Sequence, residues 1–318
     1  MEDYPRTVEE FESRFAKEEN CRAYLVSLRW PDGFRCPRCK VRKAVVVRDT
    51  LLQCCGCRHQ VSATAGTIFQ DTRKPLVMWF RAMWYVTSQK NGASALGLQR
   101  VLGLGSYQTA WAWLHKLRRA MVRPGRDHLA GWIEVDETYV GGWEEGMPGR
   151  RRGEKSLVVI AAQVEGNVIG RIRMRVIPDA SAGSLHPFIE SSMVPGSTIH
   201  TDGWQGYASI AKKGFAHEIS PIRGRPREAS KLLPHVHRVA SLLKRWLLGT
   251  HQGAVEPQHL PYYLDEFTFR FNRRTSKSRG KLFYRLMQQA VATGPTTYAA
   301  IVKPPQLPQE APQPVGAT

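Results

Sequence analysis

The sequence lacks any long apolar run. Stretches such as Leu157–Val164 fall far short of the ~18–20 residues a membrane helix needs, so no membrane-spanning segment is expected. The opening MEDYPRTVEEFESRF is acidic and has no apolar centre; no secretory signal is expected there, and the chain reads as cytoplasmic. Cysteine is missing after residue 57. All six lie at Cys21, Cys36, Cys39, Cys54, Cys55 and Cys57, whereas a secreted disulfide scaffold would spread them over the fold. Acidic residues are also scarce. With 27 Asp and Glu against 46 Lys and Arg, the formal charge is +19, which points to a polyanionic partner such as nucleic acid. The remaining composition, 42% hydrophobic and 23% charged over 318 residues, is that of a folded chain of two or three domains.

The cysteines are ordered. Cys36-Pro-Arg-Cys39 is followed by 14 residues and then Cys54-Cys55-Gly56-Cys57. Two C-x-x-C pairs, each on a tight turn, can converge four thiolates on one tetrahedral Zn²⁺, and AVVVRDTLLQ between them supplies short strands. This is a zinc ribbon pattern, placed in a first segment of residues 9–67. Cys55 is expected to point away from the ion and Cys21 to be a small buried residue.

Residues 71–122 read as helical. Leu76, Trp79, Phe80, Met83 and Trp84 recur with the period of a helix. Ser94 can cap a short second helix ending at Gly103 or Gly105, and Ser106 a third. A short helix, a glycine turn and a basic helix form a helix-turn-helix candidate, with Arg118 and Arg119 on the expected DNA-binding face.

Residues 129–289 alternate strands and helices. Trp132–Gly142, Leu157–Glu165, Val168–Asp179, Ser197–Tyr207 and Phe215–Ser220 read as five strands. Ala180–Met193, Val236–Gly249 and His259–Arg274 read as helices, the second stopping at Gly249. The fold class is therefore mixed α/β, a five-stranded mixed sheet flanked by helices. Gly146–Ser156 reads as a mobile basic hairpin tip. The proline-rich stretch 296–318 shows no periodicity and is expected to be disordered.

Chemistry-bearing residues are concentrated in the third segment. Asp136 lies within the first strand, with Glu134 and Thr138 on its face and Glu137 on the other. Asp202 ends the fourth strand, and two carboxylates on neighbouring strands would suit a hard cation such as Mg²⁺. On the helix from Val236, His237 and Lys244 are seven residues apart and nearly eclipsed, both at one edge of the apolar arc. The stretch from Arg223 to Arg245 carries Arg223, Arg225, Arg227, Lys231, Arg238, Lys244 and Arg245 against one acid, Glu228, and could cradle a DNA backbone.

The blocks CPRC…CCGC, GTIFQDTRKPL…W, IEVDETYVGG, HTDGWQGY and VHRVASLLKRWLLGTHQGAVEPQHLPYYLDEFTFRFNRR carry a resemblance. From about Phe11 to Met287 the chain resembles DDE-type transposases of bacterial insertion sequences, in the branch with an N-terminal zinc ribbon. The resemblance implies an RNase H-like catalytic core. It makes Asp136 and Asp202 the two aspartates and His237, after 34 intervening residues, the third ligand, where most relatives carry glutamate. Lys244 falls at the basic position seven residues on. Two Mg²⁺ or Mn²⁺ ions are implied, Asp136 bridging both, with Lys244 holding a phosphate. The implied partners are double-stranded DNA, as the element's terminal inverted repeats and as target, and further copies of the chain in a synaptic complex. A structure-specific nuclease with the same core would not need two DNA-reading modules. A non-catalytic DNA-binding regulator would leave Asp136, Asp202 and His237 without a purpose.

Overall fold

The computed structural model describes residues 2–48, 50–123, 125–141, 155–221 and 229–303. These fall into two units with separate cores: Met1–Arg123 with Thr275–Val302, and a second centred on Pro124–Arg274.

The first unit opens with α1 (Val8–Arg14), whose N-terminus is closed by the Thr7 hydroxyl accepting from Glu10 N, and α2 (Glu18–Arg29). The ribbon follows as β1 (Ala44–Val47), β2 (Leu51–Cys54) and β3 (Gln60–Ser62), an antiparallel sheet in that order. Three helices come next: α3 (Leu76–Ser88), α4 (Ala95–Leu102) and α5 (Tyr107–Ala120). Ser94 and Ser106 cap α4 and α5 through their hydroxyls, accepting from Gly97 N and Thr109 N. Gly103, at φ 61°, turns the chain out of α4 in the left-handed conformation that glycine tolerates.

The second unit is the five-stranded mixed sheet. Its strands are β4 (Trp132–Val140), β5 (Ser156–Glu165), β6 (Val168–Ile177), β7 (Thr198–Thr201) and β8 (Ala216–Ile219), in the order β6-β5-β4-β7-β8. The pairs β4/β5 and β5/β6 are antiparallel, while β4/β7 and β7/β8 are parallel. The helices are α6 (Ala182–Ser192), α7 (Ala229–Leu232), α8 (Pro234–His251) and α9 (Leu260–Phe271). The apolar run in β5 is explained by cover on both faces. Val158, Ile160 and Ala162 pack with Val236, Val239 and Leu243 of α8 and with α9. Leu157, Val159 and Ala161 pack on the other face with Leu185, Phe188 and Ile189 of α6. The free edge of β6 is closed by side chains. Asn272 accepts from Ile172 N (2.7 Å) and donates to Ile172 O (3.1 Å), and Arg274 donates to the Ile169 carbonyl.

Beyond Arg274 the chain adds α10 (Arg279–Ala292) and α11 (Tyr298–Val302) to the first unit. The third segment had been expected to continue to Gln289. Instead α10 lies in the first core, where Phe283 is fully buried among Phe11, Phe15, Phe80 and Trp84. The start of the tail expected to be disordered is α11, with Ile301 buried; residues 304–318 lie outside the described set. Two further expectations are corrected. Gly249 does not stop α8, which runs to His251 and ends at Gln252 in the left-handed region, φ 53°. Arg118 is not on a surface, being 1% exposed within α5. Arg119 donates to Thr296 Oγ1 and Ala300 O (3.2 and 3.3 Å), so its guanidinium anchors α11. Helix α5 meets α3 through stacked Trp113 and Trp79 and is also packed by α10 and α11, which leaves little of its length for a ligand. The basic tip at 146–156 lies largely, and Arg223, Arg225 and Arg227 entirely, outside the described residues.

Candidate functional site

The four ribbon thiols converge. Cys36, Cys39, Cys54 and Cys57 place their sulfurs within 4.8 Å of one another. Cys36 and Cys57 are 3.6 Å apart and Cys39 and Cys54 3.4 Å, close to the roughly 3.8 Å edge of a tetrahedron with Zn–S bonds of about 2.3 Å. The two turns repeat one design. Lys40 N donates to Cys36 O and Arg58 N to Cys54 O, both 3.0 Å, and both turn residues have positive φ, 65° and 57°. Burial opposes ionisation of Cys36, but the Cys39 and Arg38 amides and the neighbouring thiols hold it down at about 6. At Cys39 the Val41 amide favours the thiolate while the neighbouring thiols push the group up to about 12, as crowded thiols do when no cation lies between them. Cys55 is exposed and Cys21 buried.

The second cluster is built on β4 and its neighbours. Successive β4 residues alternate between the two cores, so Glu134 and Asp136 share the face on which α8 packs. In the parallel β4/β7 register Ile133 faces Ile199 and Glu134 faces His200; carried two residues further, the same offset sets Asp202 beside Asp136. Asp202 begins a tight turn, its Oδ1 accepting from Trp204 N at 2.9 Å. Both glycines of HTDGWQGY have a steric reason. Gly203 has φ 81°, and a Cβ on Gly206 would strike the Ala180 carbonyl.

From the other side α8 presents His237, whose Nε2 is 3.7 Å from Asp136 Oδ2. That nitrogen is buried and has no hydrogen-bond partner among the described residues. An orphaned polar atom of this kind costs on the order of 1–3 kcal/mol unless something occupies the space. A divalent cation shared with the adjacent carboxylate would do so, and the donor set fits one. Among the described residues the four thiols are the group whose donor atoms all lie within 4.8 Å of one another; Asp136, Asp202 and His237 do not close that tightly. Desolvation and the charge of Lys155 lower the Lys244 ammonium from its usual range, and Asp136 works against both. Arg245 is exposed on α8. His200 is engaged through Nε2 with Ser220 Oγ at 2.8 Å, and its Nδ1, like His237 Nε2, is buried with no hydrogen-bond partner among the described residues; Glu228 lies outside them.

Two glutamates and a tyrosine at this site were missed as functional candidates. Glu134, 3% exposed, accepts from His235 N and Val236 N (2.8 Å each) and meets His235 Nδ1 at 2.6 Å. Glu137, on the opposite face of β4, accepts from the hydroxyl of fully buried Tyr207. Burial first, then the charges of Asp136 and Asp202, raise Glu137 to about 7, although the Tyr207 hydroxyl opposes the shift. The alternation at 134 and 136 and the helix about a hundred residues later are both visible in the sequence; that the start of the one meets Glu134 on the other is not.

Comparison with known proteins finds a family match for each of the two segments that carry these clusters. Residues 128–272 match the ISXO2-like transposase domain and residues 16–60 the transposase zinc-ribbon domain, together more than half of the chain. A protein in the transposable element ISH50 of Halobacterium salinarum is 25% identical over 290 residues, covering 84% of this chain and 94% of its own length. With a four-thiol ribbon joined to a five-stranded RNase H-like sheet, the chain belongs to the DDE-type insertion-sequence transposases, in the branch with an N-terminal zinc ribbon.

Proposed function

We propose that this transposase binds the terminal inverted repeats of its element, cuts at the element ends and joins them to target DNA, with Asp136, Asp202 and His237 as the metal-binding set. The observation that carries the reading is the buried, unpartnered His237 Nε2 beside Asp136. Two Mg²⁺ or Mn²⁺ ions held there would supply activation of the attacking oxygen and relief of charge on the leaving oxygen. The side chains do the rest. Asp136, central on β4, is within reach of both partners, and Lys244 holds a phosphate as a point charge two turns from His237. Arg245 and the arginines at 223, 225 and 227 contact the backbone without reading sequence.

End recognition falls to the first unit. The exposed residues of α4 and α5 are Leu96, Arg100 and Val101 on the first and Tyr107 and Gln108 at the start of the second, the last four gathered at the turn between them. This is the N-terminal end of the second helix, the part of a helix-turn-helix that reaches base edges. Two ends must be brought together, so a second copy completes the synaptic complex.

The test is cleavage and strand transfer on duplexes bearing the element's own ends. Asp136→Ala, Asp202→Ala and His237→Ala should each lose cleavage by at least about 10³-fold while end binding stays at the wild-type level. Wild-type cleavage by His237→Ala would remove it from the ligand set. Cleavage without joining would make the protein a nuclease.

A further inference from the structure

We propose that Glu134 is a positioning residue that sets His237 against Asp136; the inference rests on the ligand set proposed above. Helix α8 starts badly for an isolated helix. Its N-cap, Leu233, has no side-chain cap, and Pro234 follows directly. The first amides of a helix need acceptors from elsewhere, and a buried helix start without them is unstable. Glu134 supplies them from a different element: one carboxylate oxygen takes both His235 N and Val236 N, and the other is on the His235 ring.

These contacts fix more than a cap. Val236 points into the core, and His235 and His237 flank it at about 100° to either side. On β4, Glu134 and Asp136 point the same way about 6.7 Å apart. Glu134 therefore takes one flank of the helix and Asp136 faces the other. Rotating α8 about its axis, or sliding it by one residue, would break all three Glu134 contacts and carry His237 away from Asp136. The hydrogen bonds that Glu134 makes to described residues go to His235 and Val236, so it acts on His237 through the helix.

A separation of charge from reach tests this. Glu134→Gln keeps the length of the side chain and an acceptor oxygen but loses the charge. Glu134→Asp keeps the charge but withdraws the acceptor by one methylene. Full-length protein of each kind, with His237→Ala alongside, is titrated with Mn²⁺ while broadening of the His237 ring signals and single-turnover cleavage of an end duplex are followed. Glu134→Gln should stay close to wild type in both. Glu134→Asp should bind Mn²⁺ about tenfold or more weakly, with reduced broadening at His237 and slower cleavage at unchanged affinity for DNA. The reverse order would show that Glu134 acts by its charge and would overturn the proposal, as would wild-type behaviour of both. Wild-type cleavage and wild-type Mn²⁺ dependence of cleavage in His237→Ala, which has no ring to follow, would instead remove His237 from the ligand set, whatever the two Glu134 variants do.

Discussion

Among the described residues, α8 and α3 are each started by a carboxylate from another element. Glu134 does so for α8, and Glu18 accepts from Leu76 N and Val77 N at 3.0 and 3.2 Å to start α3, whose own N-cap is Pro75. A negative charge at a helix N-terminus also complements the helix dipole. Glu137 is a different case, because its burial costs free energy when it ionises. In the fold it is pushed up to about 7, against about 4.3 for an unperturbed glutamate, so the folded protein binds more protons between those values. Its stabilising contribution is present in full below the lower value and is lost as pH rises through the higher one. Without added divalent metal, wild-type melting temperature should therefore fall more than that of Glu137→Gln between about pH 5 and about pH 8, by the equivalent of at most about 3 kcal/mol. Parallel curves for the two proteins would show that Glu137 ionises in the fold as it does in the open chain.

At the scale of elements, the ribbon is a small sheet of short strands whose convergent feature is the thiol cluster. Cys36→Ser should lower zinc from about one per chain to near none, and the N-terminal unit should lose end recognition while the sheet unit keeps its fold. Zinc content equal to wild type in that variant would remove Cys36 from the site. This element was legible in the sequence because spacing alone brings the four thiols together, as were the starts of α4 and α5, where Ser94 and Ser106 act on amides three residues on. What long-range packing decides was not legible. A wheel drawn for α5 puts His115 and Arg118 on a polar face, yet both are 1% exposed, because neighbouring helices surround α5 on several sides. Helix α10 follows the sheet unit in sequence and carries an ordinary apolar stripe; nothing local tells which core that stripe joins. The same holds at the site. Asp136 and Asp202 stand out as carboxylates on strands, but Glu134 acquires its role from His235 and Val236, about a hundred residues away.

For the whole molecule, a charge of +19 sets the character of the DNA contact. Each phosphate contact removed should reduce the dependence of log affinity on log salt by about 0.9, so replacing Arg223, Arg225 and Arg227 by alanine should flatten the slope by up to about 2.7. Affinity should drop alike for element ends and unrelated duplexes. A loss confined to the ends would mean that these arginines read sequence. The discontinuity of the first unit has a further consequence, in time. Phe11, Phe15 and Phe80 are synthesised early, but Phe283, which fills the space among them, comes about two hundred residues after Phe80. At about 5–20 residues per second a ribosome takes roughly 10–40 s to bridge that gap. During that interval the sheet unit, contiguous in the chain, can complete its core first. A transcript broken between Arg274 and α10 thus yields a chain that can complete the core of the sheet unit and not that of the N-terminal unit, so a gene copy damaged there loses its first unit while its second still folds.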